Sequence, residues 1–99
     1  MKKFKIRFTP EASRLLSKFH PENKMLIKQA LNDLKHNPYL GNDLQEELYE
    51  FKSFKIKRYR IIYNIDEDIK FVQIFYVGHR RDVYEEFRLL LNKLKESSL

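Results

Sequence analysis

The sequence contains no cysteine, so neither a disulfide framework nor a thiolate metal site can be built from it. No apolar run approaches the length of a membrane span. The start, Met1-Lys2-Lys3-Phe4-Lys5, is unlike a secretory leader, because Lys or Arg recurs at every second residue from Lys3 to Arg7 and interrupts any apolar core. The expectation is a cytoplasmic protein without membrane contact. The three histidines, His20, His36 and His79, are too scattered to suggest a metal site, and no pair of carboxylates stands out for acid–base work. Repeats, linkers and low-complexity stretches are missing too. Neither a metal nor another cofactor is expected.

What remains is short, aromatic and basic. Ninety-nine residues make one domain, 1–99, with no room for a second core. Hydrophobic residues form 42% of the chain, including eight Phe and six Tyr, enough to close one modest core. Twenty Lys and Arg against fourteen Asp and Glu leave a net charge of +6, which points to an anionic partner such as nucleic acid.

Residues 3–8 alternate, with Phe4, Ile6 and Phe8 apolar and Lys3, Lys5 and Arg7 charged, the pattern of a half-buried strand. Thr9-Pro10-Glu11 then opens a short helix to about Phe19, with Ala12, Leu15, Leu16 and Phe19 on its buried side. His20-Pro21 breaks it. A second helix starts at Pro21-Glu22, carries Met25, Ile27, Leu31 and Leu34 near a 3.6 period, and ends at Asn37-Pro38. Residues 38–47, with Gly41-Asn42-Asp43, read as a loop. Segments 52–57, 59–65 and 69–77 read as strands, with Asp66-Glu67-Asp68 as the turn between the last two. A final helix carries Val83, Phe87, Leu90, Leu91 and Leu94 on one stripe. The order β-α-α-β-β-β-α predicts an α+β fold: a mostly antiparallel four-stranded sheet, a helical pair on one face and a C-terminal helix.

The cations are concentrated. Lys52, Lys55, Lys57, Arg58 and Arg60 fall within nine residues, interleaved with Phe54, Ile56 and Tyr59. In a strand Lys55 and Lys57 project together, while Phe54 and Ile56 face the core and Lys52 lies on the face opposite Lys55. His79-Arg80-Arg81 and Tyr84 add further cations and a ring. Cations neutralise phosphates and rings stack on unpaired bases, a pairing that suits single-stranded RNA. A solvated strand face with ordinary lysines explains the same charge without any ligand. Glu46, Glu47 and Glu50 read as solvated.

Phe51-Lys52-Ser53-Phe54-Lys55-Ile56-Lys57-Arg58-Tyr59-Arg60-Ile61-Ile62-Tyr63, followed by Val77-Gly78-His79-Arg80-Arg81-Asp82-Val83-Tyr84, resembles the RelE branch of the RelE/ParE toxins of type II toxin–antitoxin systems. That family shows a basic strand, then Tyr-Arg-hydrophobic-hydrophobic-Tyr, then Val-Gly-His-Arg with Val-Tyr shortly after. The preceding helical pair matches as well, so the resemblance covers nearly the whole chain. It implies a ribosome-dependent mRNA endoribonuclease, held inactive by an acidic cognate antitoxin in a hetero-oligomer. It also implies roles. Lys55 stands where the family has a basic residue on the scissile phosphate or attacking proton, and Arg60 at the phosphate-binding Arg. Arg80 matches the Arg that stabilises charge or protonates the leaving oxygen, and Tyr84 the Tyr that stacks on the target nucleotide. Lys52, Lys57, Arg58, His79 and Arg81 are the expected further RNA contacts. Lys57 departs from relatives that often have Gly there.

These residues suit the chemistry. RNA supplies its own nucleophile, the 2′-hydroxyl, and cations can stabilise the charge that grows on the attacked phosphate without a metal. One Lys among these cations can serve as base, whereas an Arg is better suited to clamp charge. His79 is an alternative acid or base, set against a plain hydrogen-bonded role after Gly78. The other function class on the same fold is a non-enzymatic inhibitor of a protein target such as DNA gyrase, as in the ParE branch.

Overall fold

The structure, a computed structural model, describes residues 3–97. Met1-Lys2, where the basic start begins, lies outside them. In chain order the elements are β1 (Lys5–Phe8), α1 (Pro10–Ser17), α2 (Pro21–His36), β2 (Asn42–Asp43), β3 (Lys52–Ile56), β4 (Tyr59–Asp66), β5 (Phe71–His79) and α3 (Val83–Ser97).

The helices begin and end where local chemistry demands. Thr9 caps α1, its Oγ1 accepting from the Ala12 amide at 3.1 Å, and Pro10 takes the first helical position, where no amide hydrogen is needed. This helix closes at Ser17, two residues short of the expected Phe19. His20, which precedes Pro21, is extended as proline requires of its predecessor. In α2, Ile27, Ala30, Leu31 and Leu34 are buried. Met25 is 64% exposed and does not belong to that stripe. It sits two residues before Ile27, about 200° around the helix and so on its far side. Asn37, again before a proline, ends α2 and caps the next turn through a bond to the Tyr39 amide.

The segment expected as a plain loop contributes a strand. Residues 42–43 pair antiparallel with β3 through Asn42↔Ser53 and Asp43↔Lys52, giving a five-stranded sheet in the order β1-β5-β4-β3-β2. The buried Tyr63 hydroxyl holds this segment in place, donating to the Pro38 carbonyl at 2.7 Å and accepting from the Gly41 amide at 3.0 Å. A side chain at position 41 would meet the phenol, since its Cβ would lie 2.5 Å from the Tyr63 oxygen. β1 runs parallel to β5, with Lys5 opposite Phe71, and the other pairs are antiparallel. β5 starts two residues later than expected because Asp66 Oδ1 accepts from the amides of Asp68 and Ile69, which keeps the turn going to Lys70.

Each face of the sheet carries its own core. Ile61, Tyr63, Val72, Ile74 and Val77 pack with Ala12, Ile27, Ala30, Leu31 and Leu34 of the helical pair. On the opposite face Ile62 and Tyr76 join Leu48, Phe51, Val83 and Phe87. A bulge lets β5 serve this second core twice. The register passes from Ile62↔Tyr76 to Tyr63↔Ile74, so Phe75 has no partner and sides with Tyr76. Phe51 then meets Phe75 and Phe87 edge-on at 5.0 and 4.9 Å. Full burial of Phe87 is worth about 1.5–3 kcal/mol, and this ring anchors α3. Tyr76 donates to the Glu86 carboxylate beside it. Burial, reinforced by that carboxylate, pushes the Tyr76 phenol well above its usual range. The expected stripe of α3 docks only as far as Leu91; Leu94 is exposed.

Candidate functional site

β3 and β4 are joined by a two-residue loop, Lys57-Arg58, between the paired Ile56 and Tyr59. Lys57 adopts φ 56°, the left-handed conformation that hairpins of this kind place on Gly or Asn. It lies outside the strand and so does not share the face of Lys55, contrary to the alternation read from the sequence. The glycine that the resemblance implies at this position would adopt positive φ freely.

Across the sheet Lys55 pairs with Arg60, and Arg60 pairs with Gly78. Phe54 and Ile56 pack toward the helical pair, so Ser53, Lys55 and Arg60 belong to the face that α3 covers. There Tyr84, in the first turn of α3, meets them. Arg60 Nη1 donates to the Tyr84 hydroxyl at 3.2 Å, and the guanidinium lies 5.6 Å from the ring centre. The Tyr84 hydroxyl donates in turn to Ser53 Oγ at 3.2 Å. Arg60 Nε is buried and has no hydrogen-bond partner. Ser53 was not singled out from the sequence, although alternation already put this buried polar residue on the face of Lys55. Gly78 leaves space for the Tyr76 ring, which a Cβ would approach to 2.7 Å.

Other expected residues lie elsewhere. Lys52 is held at the sheet's other end, 2.6 Å from Asp43 and above the Tyr39 ring. The structure does not bring it to Arg60. Arg80 lies past the end of β5, its amide donating to the Arg58 carbonyl at 2.7 Å. With Lys57, Arg58, His79 and Arg81 it lines an open cleft of about 410 Å³. His79 faces away from Tyr84: its ring meets Tyr59, opposite it on β4, and Tyr59 packs on Phe19. A wider concavity of about 540 Å³ runs along α3, lined by Glu86, Leu89, Leu90, Asn92, Lys93 and Glu96. It lacks the convergent cations that a phosphate needs, so the smaller cleft is the better candidate for an anion.

Glu47 is exposed, as expected, and pairs at the surface with Arg88 at 2.6 Å. Its own backbone amide and then Arg88 lower its pKa. Among the described residues, no group of three or more His, Asp or Glu is placed to hold a metal ion. No helix among them is long and apolar enough to cross a membrane.

Comparison with known proteins follows the same residues. Residues 6–84, which take in most of β1, both motif strands and Tyr84, match the family described as ParE toxin of type II toxin-antitoxin system, parDE. Toxin RelG of Mycobacterium tuberculosis is 35% identical over 83 residues, covering 82% of this chain and 95% of that protein. A chain of the toxin–antitoxin complex RelBE2 from Mycobacterium tuberculosis superimposes with a TM-score of 0.73 at 34% identity, over 79% of this chain and 99% of that one. A chain of the intact E. coli RelBE toxin–antitoxin complex, at 17% identity and a TM-score of 0.68, covers 77% of this chain and 95% of its own and shares the fold. The family match runs through the strands that carry Arg60 and Gly78, and sequence identity and fold agree with it over most of the chain: this protein belongs to the RelE/ParE toxin superfamily of type II toxin–antitoxin systems.

Proposed function

We propose that this toxin is a ribosome-dependent mRNA endoribonuclease that cuts by attack of a 2′-hydroxyl on the adjacent phosphate. The observation that carries the reading is Arg60 on the Tyr84 hydroxyl, with its guanidinium 5.6 Å from the centre of the Tyr84 ring. A guanidinium pairs with a phosphate through its terminal nitrogens, so a buried Nε does not prevent Arg60 from doing so. The Tyr84 ring offers a face on which the target base can stack, and Arg60 then holds the phosphate beside it. Lys55, directly across from Arg60, is the candidate base for the 2′-hydroxyl proton. Arg80 reaches over from the end of β5 to stabilise charge on the phosphorane or at the leaving 5′-oxygen. The 2′-oxygen forms a bond to phosphorus as the bond to the 5′-oxygen breaks, leaving a 2′,3′-cyclic phosphate, which water can open to a 3′-phosphate, and a 5′-oxygen that takes a proton from solvent to become a free hydroxyl. The cations of the hairpin tip attract the strand, and the ribosome supplies the positioning that a shallow site on a small protein lacks.

The proposal includes a cognate antitoxin, since the RelBE2 and RelBE chains were solved in complexes with theirs. Leu89 and Leu94, exposed on α3, give an amphipathic acidic partner an apolar surface next to the basic groove. The whole chain acts as one domain in this reading, in the cytoplasm. The ParE description of the matching family favours a second reading, inhibition of a protein target such as DNA gyrase. Primer extension on a translated mRNA separates the two. The parent should give new 5′ ends, and Arg80→Ala should cut about a hundredfold more slowly, the scale of losing one charge-stabilising donor. Growth arrest with no cut mRNA, and with loss of DNA supercoiling activity, would establish the inhibitor instead.

A further inference from the structure

The concavity along α3 lies on the flank of that helix turned away from Tyr84. Glu86, Leu89, Leu90 and Lys93 line it, three, one and three residues apart, the spacing with which one helix presents a single stripe. Leu89 is 61% exposed, and Leu90 is only partly covered by the core beneath it. We propose that this flank pairs with the same flank of a second copy of the chain, the two α3 helices running antiparallel about a two-fold axis near Leu89 and Leu90. The inference does not depend on the ribonuclease reading.

Charge selects both the partner and its direction. Glu86 and Lys93 stand about 10 Å apart along the helix, too far to pair with each other. In an antiparallel copy Glu86 lies opposite Lys93 of the second chain, and Lys93 opposite its Glu86. A parallel copy would set carboxylate against carboxylate and ammonium against ammonium. The surface is therefore self-complementary, and a two-fold contact of this kind closes at a dimer. Glu86 is ordered before the partner arrives, since its carboxylate accepts from the Tyr76 hydroxyl, and a group already held loses little freedom on binding. The leucines fill the middle of the seam, with Asn92 and Glu96 at its polar rim. An acidic segment laid along the same flank would meet Glu86 and Glu96, which favours the second copy; an antitoxin that reaches Leu89 has to displace it. Tyr84 lies about half a turn round the helix from Lys93, so both Arg60–Tyr84 centres stay open in the pair. A seam of so few turns is small for an interface, and the dissociation constant should be on the order of 10 µM.

The test is sedimentation velocity on the full chain from about 1 to 100 µM, with circular dichroism melts to show that each variant is folded. The parent should pass from monomer to dimer across that range. Leu89→Arg should raise the dissociation constant at least about tenfold, because the change enters a two-fold interface twice. Met25→Arg, which alters a similarly exposed apolar residue on α2, should leave it at the parent value. Lys93→Glu and Glu86→Lys should each be monomeric alone, and an equal mixture of the two should dimerise, since the mixed pair restores both ion pairs. The sequence has no cysteine, so a single introduced one reports the direction of pairing. Leu89→Cys should oxidise to a disulfide-linked dimer, and Lys93→Cys, whose two copies lie about 10 Å apart in the antiparallel pair, should not. A parent that stays monomeric at about 100 µM overturns the pairing and leaves the flank to the antitoxin. Equal effects of Met25→Arg and Leu89→Arg overturn it as well, and so does cross-linking of Lys93→Cys as readily as Leu89→Cys. Should Glu86→Lys fail to fold without its Tyr76 contact, the two cysteine variants decide.

Discussion

Replacing Tyr84 by Phe and by Ala separates the two things this residue does. Tyr84→Phe removes the hydroxyl and with it the bonds from Arg60 and to Ser53, both 3.2 Å long and therefore at the weak end. At about 0.5–1 kcal/mol each, with Ser53 left buried and short of a partner, the fold should lose about 1–2 kcal/mol. For a domain of this size that lowers the melting temperature by about 4–16 °C, a measurable share of a total stability of about 5–15 kcal/mol. The ring itself stays, so cleavage of translated mRNA should fall by no more than about fivefold. Tyr84→Ala also removes the stacking surface, worth about 1–3 kcal/mol per base, and should slow cleavage by about 5- to 150-fold. The assays are thermal unfolding and primer extension on the same preparations. If the Phe variant, folded at the assay temperature, cuts as poorly as the Ala variant, the hydroxyl and not the ring does the work. An unchanged melting temperature in the Phe variant would refute the Arg60–Tyr84–Ser53 chain itself.

Burial raises the phenols of Tyr63 and Tyr76 above the unfolded value of about 10, so their contribution to stability is full below that pH and is lost as pH rises past it. Denaturant midpoints should fall as pH rises above about 10, and Tyr76→Phe should flatten part of that decline. Lys57→Gly relieves a left-handed lysine and should raise stability by about 1 kcal/mol while lowering the salt slope of RNA binding by about 0.7. Chelation by EDTA should leave cleavage unchanged, because no metal-binding set is formed by the described residues; lost activity on intact ribosomes would show that a metal takes part.

Periodicity made the strands and helices legible, because each buries one face and the burial repeats at the period of the element. Ile61 and Tyr63 point one way and Ile62 the other, as alternation requires. Where long-range contacts override local pattern, sequence reasoning failed. The 42–43 strand has no hydrophobic alternation of its own and exists because Tyr63, far along the chain, ties Gly41 and Pro38 to the sheet. The bulge at Phe75 is likewise invisible locally, since two successive aromatics on one face contradict the strand period. Met25 shows a subtler error: an apolar residue near a stripe is not on it when it lies two positions away. For the site, family motifs picked out Arg60 and Tyr84, whose contact depends on how α3 docks. They gave no hint that Lys52 is committed to Asp43, or that His79 and Tyr84 occupy opposite faces.

The pairing of β1 with β5 governs when this chain can become harmful. Synthesis proceeds from the N-terminus, so Lys5–Phe8 emerges first and finds its parallel partner, Phe71–Ile74, only after the helical pair and three intervening strands have been made. Until then β1 lacks its partner strand and the helical pair lacks the central strand on which it packs. The same late strand delivers Gly78 opposite Arg60, and Tyr84 arrives after it. A nascent toxin is thus inert throughout most of its own translation. The face that carries Arg60 and Tyr84 is incomplete until the last helix has been made, and any partner that captures the finished face has the interval of folding in which to do so.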